Sequence, residues 1–193
     1  MKSLFWSDVL RYSAMLGVGM GLSKIFEIYE LFISDTQLVS GLFIAEWFVV
    51  AGLFIGLLSY MTNRHSKQYP AEVGFSYASA LLFVMTVSMF VGVIVGVMEH
   101  IYITAIGYDT YVAGFISFID EYFAVVTNLG VELPADIAAS FTDMQEALNK
   151  TTAPSVFETI FATLSNYIYI GLFLGLIIAA FTRRKPMKQI NQQ

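Results

Sequence analysis

The sequence contains no cysteine, so disulfides and thiolate metal sites are excluded. Charge is also scarce: 13% of the 193 residues are Asp, Glu, Lys or Arg, and only two are histidine. The ten Lys and Arg are scattered and build no basic stripe, which speaks against nucleic acid as a partner. There is no phosphate-binding loop, nucleophile elbow, HExxH pair, catalytic acid pair or heptad seam. Neither a metal nor a cofactor is expected. No small-x-small cleavage site follows the apolar run that begins near Arg11, so that run reads as an uncleaved first membrane helix.

What the chain has instead is apolar length. Hydrophobic residues make up 57% and the mean hydropathy is +0.69, against roughly 45–50% apolar residues in a soluble domain. Residues 73–98 carry no formal charge. As a helix this stretch is about 39 Å long, enough to cross a hydrocarbon core of roughly 30 Å with some tilt. The pattern predicts one all-α membrane domain over 1–193, with four transmembrane helices near 8–33, 38–62, 72–105 and 155–182. A tight polar turn is expected at Ser34, Asp35, Thr36 and Gln37, and a polar loop over 63–70 with Arg64, His65 and Lys67. Pro70 and Pro154 precede the third and fourth spans, Pro186 follows the last, and Gly107 is a stop.

With four spans, Lys2, Arg11, Arg64, Lys67, Arg183, Arg184, Lys185 and Lys188 share one side, and Lys150 alone lies opposite. Basic residues stay inside, so both termini are expected in the cytoplasm of a bacterial inner-membrane protein. Phe5, Trp6, Tyr60, Tyr69, Tyr102 and Tyr108 fit interfacial aromatic belts, with Trp47 deeper.

A helical extracytoplasmic insertion is expected over 108–154. Tyr111, Phe115, Phe118, Tyr122 and Val126 recur at steps of four and three beside Asp120 and Glu121, with Gly130 after them. A second stripe, Ile137, Phe141, Met144 and Leu148, follows Pro134. Two readings stand: a helical hairpin capping the bundle, or a helix lying in the outer interface or docking a partner. Asn149-Lys150-Thr151 matches a glycosylation pattern that matters only in a host that glycosylates there.

Three intramembrane charges are the candidate ligand or proton site. Lys24 lies about 20 Å along the first helix from Arg11, Glu27 follows it by one turn, and Glu46 lies about 12 Å into the second helix from Leu38. Lys24 and Glu46 thus reach similar depths on antiparallel neighbours. A charge in hydrocarbon costs several kcal/mol, so a Lys24–Glu46 pair is expected, with structural neutralisation as the bland alternative. Glu30, Glu99, His100 and Glu158 form a candidate outer-face polar cluster. Glu158 also has a local explanation, the capping box begun by Ser155. Each span carries glycines four apart, Gly17/Gly21, Gly52/Gly56, Gly92/Gly96 and Gly171/Gly175, which predicts close packing within the bundle or between protomers.

Gly74-Phe75-Ser76-Tyr77-Ala78-Ser79-Ala80, Tyr102-Ile103-Thr104-Ala105 and Gly175-Leu176-Ile177-Ile178-Ala179-Ala180 before a basic tail resemble one family over nearly the whole chain. It is the four-helix membrane proteins of Bacteroidota grouped as domain-of-unknown-function family 4199. The resemblance implies an inner-membrane location, supplies no catalytic residue, and points to an envelope glycosyltransferase as a partner. The leading expectation is a non-enzymatic accessory or assembly partner in the cell envelope, with the lipid bilayer and a second copy as further partners. The alternative is a small transporter or lipid-handling protein using Lys24 and Glu46. An enzyme would need the outer acids and His100 to converge. A water-accessible cavity reaching Glu46 separates the first two readings: its presence favours the second.

Overall fold

The computed structural model describes residues 2–32, 36–128 and 135–186. These residues form six helices and no strand: α1 (Lys2–Glu30), α2 (Thr36–Ser66), α3 (Tyr77–Ile106), α4 (Tyr108–Asn128), α5 (Ala135–Lys150) and α6 (Val156–Thr182). Ala45–Ser66 of α2, with α3 and α6, are long and apolar enough to cross a membrane. Ile33, Ser34, Asp35, Gly130, Pro134 and Lys188 lie outside the described residues, as do the side chains of Lys2, Leu38, Tyr122, Val126, Ile137 and Asn149.

Local chemistry sets the helix ends. Ser76 caps α3 by accepting from Ser79 N at 3.1 Å, and Gly107 closes it at φ +90, its N–H bonded to Ile103 O at 3.0 Å. The same Gly107 then starts α4, because its carbonyl accepts from Tyr111 N at 3.0 Å. At α6 the expected box is formed: Glu158 N donates to Ser155 Oγ at 3.3 Å, and Ser155 N to Glu158 Oε2 at 2.7 Å.

Several boundaries differ from the sequence reading. The first helix, expected over 8–33, starts at Lys2 and ends at Glu30. The helix expected from 72 begins only at Tyr77, because Val73 and Gly74 donate to Pro70 O in turns and Phe75 pairs with Arg184. Gly74 has φ +70, and a Cβ there would meet Arg184 O at 2.6 Å, so both the turn and the close approach require glycine. At the other end, α2 takes in Thr36 and Gln37 of the expected turn and then Asn63 to Ser66 of the expected loop. No helix breaker stands before Pro70, and burial of His65 rewards the extra turn.

α3 is the central element. Val84, Val87, Val91 and Val95 form its buried stripe, packed with Val9, Tyr12 and Leu16 of α1, Phe54 and Leu58 of α2, and Leu174 and Ile178 of α6. α1 runs parallel to α3: Ser13 Oγ donates to Val87 O at 3.2 Å, Gly17 faces Ile94, and Gly21 faces Met98. α6 runs antiparallel: Gly175 meets Leu81, Gly171 meets Ser88, Gly92 meets Leu164 and Tyr167, and Gly96 meets Ile160. Three of the four glycine pairs therefore close the bundle. The fourth does not: nothing lies within 4 Å of a Cβ built on Gly52 or Gly56. α2 meets α3 and α6 only sparsely, and Trp47, Phe48 and Val49 face outward.

α4 and α5 pack antiparallel to each other. α4 lies over the bundle end, with Val112 and Ile119 buried, Tyr111, Phe115 and Phe118 half-buried, and Gly114 against the Phe32 ring. α5 packs on α4 through the Phe123–Phe141 ring pair (4.3 Å) and a Gln145 Nε2–Asp120 Oδ1 hydrogen bond of 2.7 Å.

These contacts order the glycines by cost. Gly92→Val and Gly96→Val should each destabilise the protein by about 1–3 kcal/mol, the usual range for overpacking. Gly52→Ala and Gly56→Ala should leave stability unchanged. Thermal unfolding in mild detergent checks both halves.

Candidate functional site

Because α3 draws α1 and α6 close and leaves α2 apart, a cleft of 780 Å³ opens between α2 and α6, with α1 and α3 behind it. Its lower walls are apolar: Met20, Val50, Phe54, Val95, Phe173 and Leu174. The edge-on Phe54–Tyr167 ring pair (5.9 Å) links the α2 and α6 sides. At the other end stand Ser23, Lys24 and Glu27 of α1, Glu46 of α2, Glu99 of α3, and Thr163 of α6. Glu27 shares a helix face with Ser23 at i,i+4 and with Lys24 at i,i+3.

The expected Lys24–Glu46 pair is not formed. Lys24 Nζ donates to Glu27 Oε2 at 2.9 Å, while Glu46 Oε1 accepts from Ser23 Oγ at 2.6 Å. The i,i+3 partner is already in reach on the same helix, and Glu46 is taken by the neighbouring Ser23 hydroxyl. The three residues named from the sequence nevertheless line one cleft.

The outer-face group is divided. Glu99 enters the cleft, where its Oε2 accepts from Thr163 Oγ1 at 2.9 Å. His100 Nδ1 lies 3.3 Å from Thr159 Oγ1. Glu158 is exposed and occupied by its cap. Glu30 is 1% exposed, and the acids nearest it are Glu46 and Glu27. Among the described residues no group of three His, Asp or Glu is placed to hold a metal ion.

One polar cluster escaped the sequence reading. His65, assigned there to a loop, is 1% exposed. Its Nδ1 lies 2.7 Å from Asp8 Oδ2, which also accepts from Gln68 Nε2 at 2.8 Å. The imidazole stacks on Phe83 at 4.2 Å and takes the edges of Phe5, Tyr69 and Phe75. Burial and then the Asp8 carboxylate push the Tyr69 hydroxyl above its ordinary value. Arg184 donates to Ser66 O at 3.1 Å, so the start of α1 and the ends of α2 and α6 are tied at one place. The available signal was the uninterrupted helix potential of 63–66 together with an acid, Asp8, ahead of an apolar run. Ring enclosure makes this a structural pin.

The pin predicts a contrast. Asp8→Leu strands the buried imidazole and should cost about 1–3 kcal/mol. Asp8→Asn should cost clearly less, because the amide oxygen still accepts. Melting temperatures of the two variants in one detergent decide it.

A family model described as "Protein of unknown function (DUF4199)" matches residues 11–184. No curated protein and no solved structure matches the chain.

Proposed function

Since the chain belongs to the DUF4199 family, which is defined by sequence and not by an activity, its function is read from the cleft, and we propose that it is a membrane protein that holds a lipid-like amphiphile between α2 and α6. The observation that carries this reading is the cleft itself: it reaches Glu46 and joins a charged end to apolar walls. That geometry favours lipid handling over the accessory role. Lys24, Glu27 and Glu46 are the residues that would meet the polar head, with Glu99 beside them.

The reading rests on a four-span bundle. α1 is 29 residues long, about 43 Å as a helix, and runs parallel to α3 along its length. If α3 crosses a bilayer, α1 crosses with it. Its own charges exclude it from the apolar set, but Glu30 is buried in the protein and Lys24 and Glu27 face the cleft. Arg11, Arg64, Arg183 and Arg184 then gather at one end, which supports a cytoplasmic position for both termini and suits a bacterial inner membrane. α4 and α5 become the extracytoplasmic insertion. The exposed Trp47, Tyr169 and Phe173 at the cleft mouth suit entry from the lipid side.

The runner-up, an accessory partner of an envelope glycosyltransferase or a homo-oligomer, has one observation in its favour. The face of α2 bearing Gly52 and Gly56 is open to a neighbouring helix.

Native mass spectrometry after mild-detergent purification tests the choice. The protein should carry phospholipid, and Ala51→Trp, which fills the cleft, should lose it with an unchanged melting temperature. Equal lipid retention by that variant, or recovery of a stoichiometric protein partner without lipid, would sink the proposal.

A further inference from the structure

The charges in the cleft narrow the amphiphile, on the premise that the cleft is a lipid site. We propose that its polar end selects a phospholipid whose headgroup carries a primary ammonium, as in a phosphoethanolamine lipid, over an anionic or a quaternary one.

The argument is an inventory of donors. Three carboxylates, Glu27, Glu46 and Glu99, line the polar end, with one cation, Lys24. A carboxylate offers about four acceptor positions. Glu27 is served by Lys24 at 2.9 Å. Glu46 receives one hydroxyl, from Ser23, and Glu99 one, from Thr163. Glu30 adds a fourth acid behind Glu46, 1% exposed and set against the Glu46 side chain. The unmet demand is therefore for cationic N–H donors between α2 and α3. In a medium poor in water, such a deficit is met best by a charged donor of opposite sign.

A primary ammonium brings three N–H donors on a compact point charge. A trimethylated ammonium brings none and binds instead by aromatic enclosure. Of the lining aromatics, Phe54 and Tyr167 set their rings edge-on to each other, and Trp47 and Tyr169 are 65% and 70% exposed at the mouth. An anionic head with no amine would face an excess of acid. Lys24 spends one of its three donors on Glu27 and keeps the others for the phosphate that links the amine to the lipid backbone. The acyl chains then lie along Val50, Phe54 and Phe173. A bilayer lipid is the source, because the α2 and α6 residues of the cleft lie within helices apolar enough to cross a membrane.

The test offers the full-length protein an equimolar mixture of phosphatidylethanolamine, phosphatidylglycerol and phosphatidylcholine with identical acyl chains, read by native mass spectrometry. The phosphatidylethanolamine adduct should exceed each of the others about ten-fold or more, the scale of a charged hydrogen bond. Glu46→Gln with Glu99→Gln should abolish that preference and leave total lipid retention in place. A second measurement needs no variant: dodecylammonium should raise the melting temperature of the unaltered protein, and dodecyltrimethylammonium and dodecyl phosphate should not. Lipid retained without headgroup preference, or with phosphatidylglycerol or phosphatidylcholine preferred, overturns the headgroup inference and leaves the cleft as a lipid site. No lipid retained at all removes both.

Discussion

Everything in this protein depends on how closely α3 lets its neighbours approach. Glycines of α3 and α6 face each other's backbones, and glycines of α1 face the long side chains Ile94 and Met98. Without a hydrophobic drive between helices in lipid, such contacts supply the association energy through dispersion and exact fit of surfaces. Three helices are thereby drawn into one tight unit. α2 shares no such seam, since its own glycines face outward with nothing near them. It is held instead by Phe54, Leu58 and Met61 in the core and by the Asp8–His65 pin at one end. The cleft is the space this unequal packing leaves.

The same inequality explains where charge is tolerated. Asp8 and His65 sit where the helices converge, Asp8 Oδ2 meeting both His65 Nδ1 and Gln68 Nε2, while the buried His65 Nε2 is enclosed by rings. Lys24, Glu27, Glu46 and Glu99 sit where α2 stands apart, with room beside them and few donors to spare. The first cluster spends polar chemistry on holding helix ends together. The second leaves chemistry unspent, which is the usual mark of a place that binds something. On the proposed orientation, the pinned end is cytoplasmic and the open cleft lies in the outer half of the membrane.

Much of this was legible locally. The helical class follows from uncharged runs such as 73–98, the end of α3 from Gly107, and the start of α6 from Ser155 and Glu158. That Lys24, Glu27 and Glu46 would stand at similar levels was recognisable because depth along a helix is a matter of counting residues. What failed needed distances between elements. The Lys24–Glu46 pair lost to the nearer Glu27. His65 looked like a loop residue because nothing in its neighbours announced that Asp8, 57 positions earlier, would meet it. Glu30, Glu99, His100 and Glu158 share a level, but they point to different partners.

The sequence by itself determined the apolar helices, their caps, the levels of the charges and the glycine spacing, since each depends on residues within a turn or two of one another. Only the tertiary structure decided which glycines pack, which acid each donor reaches, and that α2 stands off from α6. Those outcomes depend on helix rotation and separation, which are fixed by the sum of contacts along the whole of α3 and by no single stretch of the chain.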